Sequence, residues 1–170
     1  FSDPEIANFI SYRFLAVMLL AFPLGFYIKG KPLKPFFMIG SLGVPLVAIS
    51  LILAIEYQHH SFLPLLFILW GVVFTLFQVS ALPYIMRNTV AENQSHAISL
   101  NYATHSFGTI LSGIIIFCSG HSIKGIGEGK ILLFISLLGF IGVYHLLKLK
   151  VDMVVPVKKG LQWKSYDWAL

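Results

Sequence analysis

The sequence predicts an all-α fold: a polytopic membrane bundle built from five transmembrane helices. Three observations carry that prediction. The chain of 170 residues is 57% hydrophobic and only 11% charged, with a mean hydropathy of +0.83. A soluble domain carries about a quarter charged residues, so this surface cannot be covered with polar groups in water. The apolar residues also fall into long continuous runs, and the basic residues collect in the short stretches between them.

A helix needs about 20 apolar residues to cross a hydrocarbon core of about 30 Å. Segment one runs from Asn8 to Ile28 and holds one charge, Arg13. Segment two runs from Pro35 to Ile55 and segment three from Phe62 to Met86, both without charge. Segment four runs from His96 to Gly120 and segment five from Ile131 to Leu147. Strands of a membrane barrel are shorter, about 10 residues, and alternate in character; these runs do neither. Pro23, Pro45 and Pro83 fall inside the runs, where lipid-embedded helices tolerate proline because the freed carbonyls find other partners. Gly40 and Gly43 allow helices to approach closely.

Lysine and arginine set the topology. The hairpin after segment one holds Lys29, Lys31 and Lys34, the loop after segment three holds Arg87, and the stretch after segment five holds Lys148, Lys150, Lys158, Lys159 and Lys164. These nine residues share one side. The opposite side holds Lys124 and Lys130, with Asp3, Glu5, Glu56 and Glu128. The positive-inside rule makes the nine-residue side cytoplasmic. Phe1 then lies outside and Leu170 inside, in what is expected to be a plasma (inner) membrane. Residues 1–147 form the bundle, and residues 148–170 form a basic cytoplasmic linker and the start of a further helix. An outside start without a visible signal is natural if one more helix precedes Phe1.

Several functions find no support in the residues. The net charge of +5 is accounted for by topology, so no nucleic-acid partner is expected. The single Cys118 permits neither an internal disulfide nor a cysteine metal site. His59 and His60 are adjacent, do not share a helix face, and have no cluster of further ligands nearby, so no metal is expected. Gly125, Gly127 and Gly129 in "KGIGEGK" lack the strand-to-helix setting of a nucleotide loop. No nucleophile and base pair up, and no carboxylates are paired. Neither enzyme activity nor a cofactor is expected.

The polar residues inside the apolar runs are the candidates for function. Asn101, His105, Gly108 and Ser112 recur at helical spacing and share one face of segment four. They either line a substrate cavity or pack between helices, with Asn101 bonded to a neighbour. Trp70, Phe74 and Gln78 recur every fourth residue of segment three. They either wall the same cavity, aromatic surfaces beside a few placed polar groups, or form a packing stripe with Gln78 bonded between helices. Arg13 lies about a turn and a half inside segment one. It either snorkels outward or makes an anion contact or ion pair at the outer mouth.

Five helices ending in a basic linker and a fresh apolar start resemble the N-terminal half of a major facilitator superfamily transporter that lacks its first helix. "GFYIKGKPLK" is similar to the family's loop after its second helix, Gly-x-Leu-Ala-Asp-Arg-x-Gly-Arg-Arg. Gly25 matches the first glycine, Lys29 stands at the aspartate, and Lys31 and Lys34 keep the basic character. Gly71 in "FILWGVVF" corresponds to a glycine of the family's fourth helix, with Phe67 where an arginine often stands. "LPYIMRNTVAENQSHAISLNYATHSFGTILSG" resembles the crossing from the fourth to the fifth helix.

The resemblance implies alternating-access transport of a small solute. Its partners would be membrane lipid, the missing helix and a second six-helix half. Gly25, Lys29 and Arg87 would shape a cytoplasmic gate, and Trp70, Gln78, Asn101 and His105 would line the cavity. A membrane scaffold or subunit that transports nothing is the alternative; it needs no polar stripe and no second half.

Overall fold

A computed structural model of the protein describes residues 1–122 and 128–149. Five helices account for nearly all of them: α1 (Asp3–Tyr27), α2 (Lys34–Glu56), α3 (Leu63–Asn88), α4 (Gln94–Ser122) and α5 (Glu128–Leu147). Single 3-10 turns, His60–Phe62 and Ala91–Asn93, lead into α3 and α4. The linker expected after the bundle lies outside the described residues from residue 150 onward.

Each helix boundary has a local cause. At the start of α1, the Glu5 carboxylate accepts hydrogen bonds from the Ser2 backbone N–H at 2.8 Å and from the Ser2 hydroxyl at 3.0 Å. This reciprocal cap, with Pro4 in the first turn, starts the helix five residues before the apolar run expected from Asn8. Gly30 breaks the chain between α1 and α2 with φ of 75°, a left-handed conformation that costs glycine no steric penalty. Pro35 enters the first turn of α2 and Pro64 that of α3, positions where a missing N–H does no harm.

Helix α3 is the centre of the bundle. It packs along both α1 and α2; α5 lies on α2, and α4 makes lighter contacts with α3 and α5. Close approach is bought with small side chains. A Cβ on Gly40 would sit 2.8 Å from Phe77 Cα, and one on Gly43 would sit 2.6 Å from a Val73 methyl. A Cβ on Gly71 would meet the backbone carbonyl of Arg13 and lie 2.7 Å from Ala16 Cβ. At the α2–α5 contact, Gly139 faces Pro45, and a Cβ there would lie 3.2 Å from the proline's own Cβ.

Polarity does not sort inside from outside as it does in a water-soluble bundle, because small residues share the interior with the apolar core while many large apolar side chains face out. Buried positions include Gly40, Gly71, Thr75, Ser80 and Ala81. Large apolar side chains point away from the protein instead: Phe14, Met18 and Phe22 on α1 are 59%, 69% and 75% exposed. The buried hydroxyls bond back into their own helix, Thr75 Oγ1 to the Gly71 carbonyl at 2.7 Å and Ser80 Oγ to the Phe77 carbonyl at 3.2 Å. Lipid supplies no such partners, so helices in lipid satisfy their polar groups internally.

Among the described residues, four stretches are long and apolar enough to cross a membrane: Asp3–Tyr27, Lys34–Glu56, His60–Asn88 and Gly129–Leu147. Five were expected from the sequence. The fifth, α4, spans 29 residues and is long enough, but it is not among the four. Its N-terminal and central turns carry Asn101, Thr104, His105 and Thr109, and these polar residues lower its hydropathy.

Candidate functional site

Helices α3 and α4 enclose a cleft of about 330 Å³ lined by Phe77, Gln78, Ala81 and Leu82 from α3 and by Asn101, Tyr102, Thr104 and His105 from α4. Three of the four cavity residues expected from the sequence, Gln78, Asn101 and His105, therefore meet in one place. The α3 wall follows from helical spacing: Gln78, Ala81 and Leu82 lie three and four residues apart and share a face. The same rule joins Asn101, Thr104 and His105 on α4.

The amides of Gln78 and Asn101 and the imidazole of His105 form no hydrogen bond to any other described residue. The interhelical bonds that a packing role would require are therefore not made. The Thr104 hydroxyl, by contrast, donates to the Leu100 carbonyl at 2.8 Å, and the Thr109 hydroxyl donates to the His105 carbonyl at 2.9 Å. The cleft thus presents two amides and an imidazole to whatever occupies it, between the rings of Phe77 and Tyr102. Gln78 is fifteen residues into a 26-residue helix, close to its midpoint. No group of three His, Cys, Asp or Glu side chains that could hold a metal occurs among the described residues.

Tyr102 and Thr104 were missed in the sequence. Thr104 follows Asn101 by three residues, so helical spacing alone could have found it. Tyr102 could not be assigned that way, because it lies beyond the stripe's edge.

Trp70 does not line this cleft. It packs against the cluster of Leu51, Ala54 and Leu63, with Phe9 and Phe67 beside it. Phe67 stacks on Phe9 with ring centroids 5.9 Å apart. What Trp70 holds is Arg13. The guanidinium carbon sits 4.4 Å from the Trp70 ring centre and 4.7 Å from that of Phe74. Arg13 thus turns onto α3 and does not snorkel along its own helix. Because α1 begins at Asp3, Arg13 lies ten residues into a 25-residue helix, well inside the mouth expected for it. Arg13 Nε is enclosed without a hydrogen-bond partner.

The lysine hairpin forms a second organised feature. Ile28 and Leu33 are buried against Tyr84 of α3, with Leu24, Phe36, Phe37 and Val79 packed around them. Arg87 Nη1 donates to the Lys31 carbonyl at 2.8 Å. Lys31 Nζ lies 3.1 Å from the centre of the Tyr27 ring, a cation–π contact. Lys34 Nζ donates to the Leu147 carbonyl at 3.1 Å and also to that of Leu149, so a cation caps the C-terminal end of α5, where the helix dipole favours it. Of the three residues expected at this end, Arg87 engages the hairpin. The Lys29 side chain is exposed, and a Cβ on Gly25 would meet nothing within 4 Å.

Comparison with protein-family models, with curated proteins and with solved structures finds no match to this chain.

Proposed function

We propose that this chain is half of a secondary active transporter of the major facilitator type, and that it moves a small solute by rocking against a second half. The observation that supports this reading best is the α3–α4 cleft. Unpaired amides and an imidazole near the midpoint of a membrane-spanning helix are costly unless they face water or a ligand. Transporters place their sites at that depth. A structural scaffold would gain from tying the same groups together between helices, and it does not need them open.

In this reading Gln78, Asn101 and His105 contact the solute, and the Arg87-tethered hairpin forms the cytoplasmic gate. The basic side faces the cytoplasm of an inner or plasma membrane. Uptake of a panel of labelled sugars, amino acids, carboxylates and nucleosides, by cells expressing the full-length protein, tests the reading. Gln78→Ala and Asn101→Ala are expected to lower uptake of the transported solute without loss of membrane expression. Unchanged uptake in both variants removes them from the site, and no uptake of any solute favours the scaffold.

A further inference from the structure

The transported class follows from where charge is placed. Arg13 is the single charged residue in the interior of the described helices: Asp3, Glu5, Lys34, Glu56, Arg87 and Lys130 all lie within three residues of a helix end. Among the described residues no carboxylate lies in the interior of a helix, and none forms an ion pair with Arg13. A bare guanidinium in a low-dielectric setting is costly. The faces of Trp70 and Phe74 offset part of that cost, since a desolvated cation–π contact is worth about 2 kcal/mol, but they leave Nε without an acceptor. Phe74 and Gln78 are one turn apart on α3, or about 6 Å of rise. The ring of Phe74 thus places the cation about one turn from Gln78 along α3, beside the cleft and not among its lining residues.

We propose, on the transporter reading above, that the solute is a small organic or inorganic anion, and that Arg13 supplies its countercharge while Gln78, Asn101 and His105 orient its polar body. The aromatic pair holds the guanidinium in place, and its two terminal Nη groups, unlike the enclosed Nε, are left for a planar or tetrahedral oxyanion, which arginine matches with two parallel hydrogen bonds. A cationic solute would meet like charge and no carboxylate. A neutral one would leave the arginine uncompensated.

The full-length protein, purified in detergent, is followed by thermal unfolding with lactate, succinate, inorganic phosphate, mannitol and choline as probes. At least one of the three anions is expected to raise the melting temperature, while mannitol and choline do not. Arg13→Gln is expected to weaken that binding tenfold or more, about the loss expected for a charge-assisted hydrogen bond. Arg13→Lys, which keeps the charge but not the planar fork, is expected to retain part of it and guards against a folding defect. Unchanged anion binding in Arg13→Gln, or no shift with any anion, overturns the proposal. A further arm adds phosphatidylglycerol alone: stabilisation by that lipid that is lost in Arg13→Gln, with no response to the soluble anions, assigns Arg13 to a lipid phosphate and also overturns it. Uptake of mannitol or choline that depends on Gln78 but not on Arg13 overturns the anion assignment and leaves transport standing.

Discussion

Arg87 on α3 holds the backbone carbonyl of Lys31 in the α1–α2 hairpin at 2.8 Å, across 56 residues of sequence. The bond couples the end of the central helix to the loop that carries three lysines. A hydrogen bond to a charged group contributes about 1.5–3 kcal/mol, less when half-exposed. Losing about 1 kcal/mol raises the open population of the hairpin roughly fivefold. Lys29 reports on this opening, because Lys31 and Lys34 are each followed by proline and resist trypsin. Arg87→Gln is expected to speed tryptic cleavage after Lys29 by that factor in membranes with the hairpin side accessible. Cleavage at the unchanged rate would show that the bond does not restrain the loop.

Two glycines that look alike in the sequence are expected to behave oppositely. Gly71 lies where a Cβ would meet the Arg13 carbonyl and Ala16, and overpacking a tight contact costs about 1–3 kcal/mol. Gly71→Ala is expected to destabilise the bundle by that amount in a thermal or denaturant melt. Gly25 has open space around it and lies within α1, so Gly25→Ala gains up to about 1 kcal/mol of helix propensity. Equal melting temperatures for the two variants would contradict the α1–α3 packing described here.

Access of water to the cleft can be read with cysteine. In a Cys118→Ser background, Gln78→Cys, Asn101→Cys and Thr104→Cys are expected to react with a charged, membrane-impermeant thiol reagent. Phe14→Cys and Met18→Cys, on the outward apolar face of α1, are expected to remain unmodified. Labelling of the α1 positions as fast as the cleft positions would contradict the assignment of that face to lipid.

The Arg13–Trp70 contact is expected to show as coupling. Cation–π pairs contribute about 0.5–2 kcal/mol depending on desolvation. A double-mutant cycle of Arg13→Gln and Trp70→Leu, measured by unfolding of the full-length protein, is expected to return a coupling energy in that range. Additive effects would mean that the ring and the guanidinium merely lie near each other.

Much of the fold was legible because continuous apolar runs of about 20 residues have few alternatives to a helix in lipid. The ends of all five helices fall within a few residues of those runs, apart from α1, whose start at Asp3 depends on the Ser2–Glu5 cap and not on hydropathy. Spacing brought Gln78 into register with Trp70, and Asn101 with His105. It could not say that α3 turns Gln78 toward α4 while Trp70 packs toward α1 and α2. Each helical turn of four residues advances the direction by 40°, so eight residues carry the stripe from one neighbour to another. Arg13 was the largest gap. Its reach along α1 could be judged from sequence, whereas its seat between two rings of α3 requires the α1–α3 contact at Gly71.

The polar face of α4 also bears on how the protein is made. During membrane insertion a helix leaves the translocon for lipid according to its summed transfer free energy, in which each strongly polar residue near the centre weighs against release. Helices α1, α2, α3 and α5 clear that step on composition. Helix α4 carries Asn101 and His105 and does so less readily, so its integration leans on α3 before it or α5 after it. The polar residues that line the cleft thus also make α4 the helix whose insertion leans most on its neighbours.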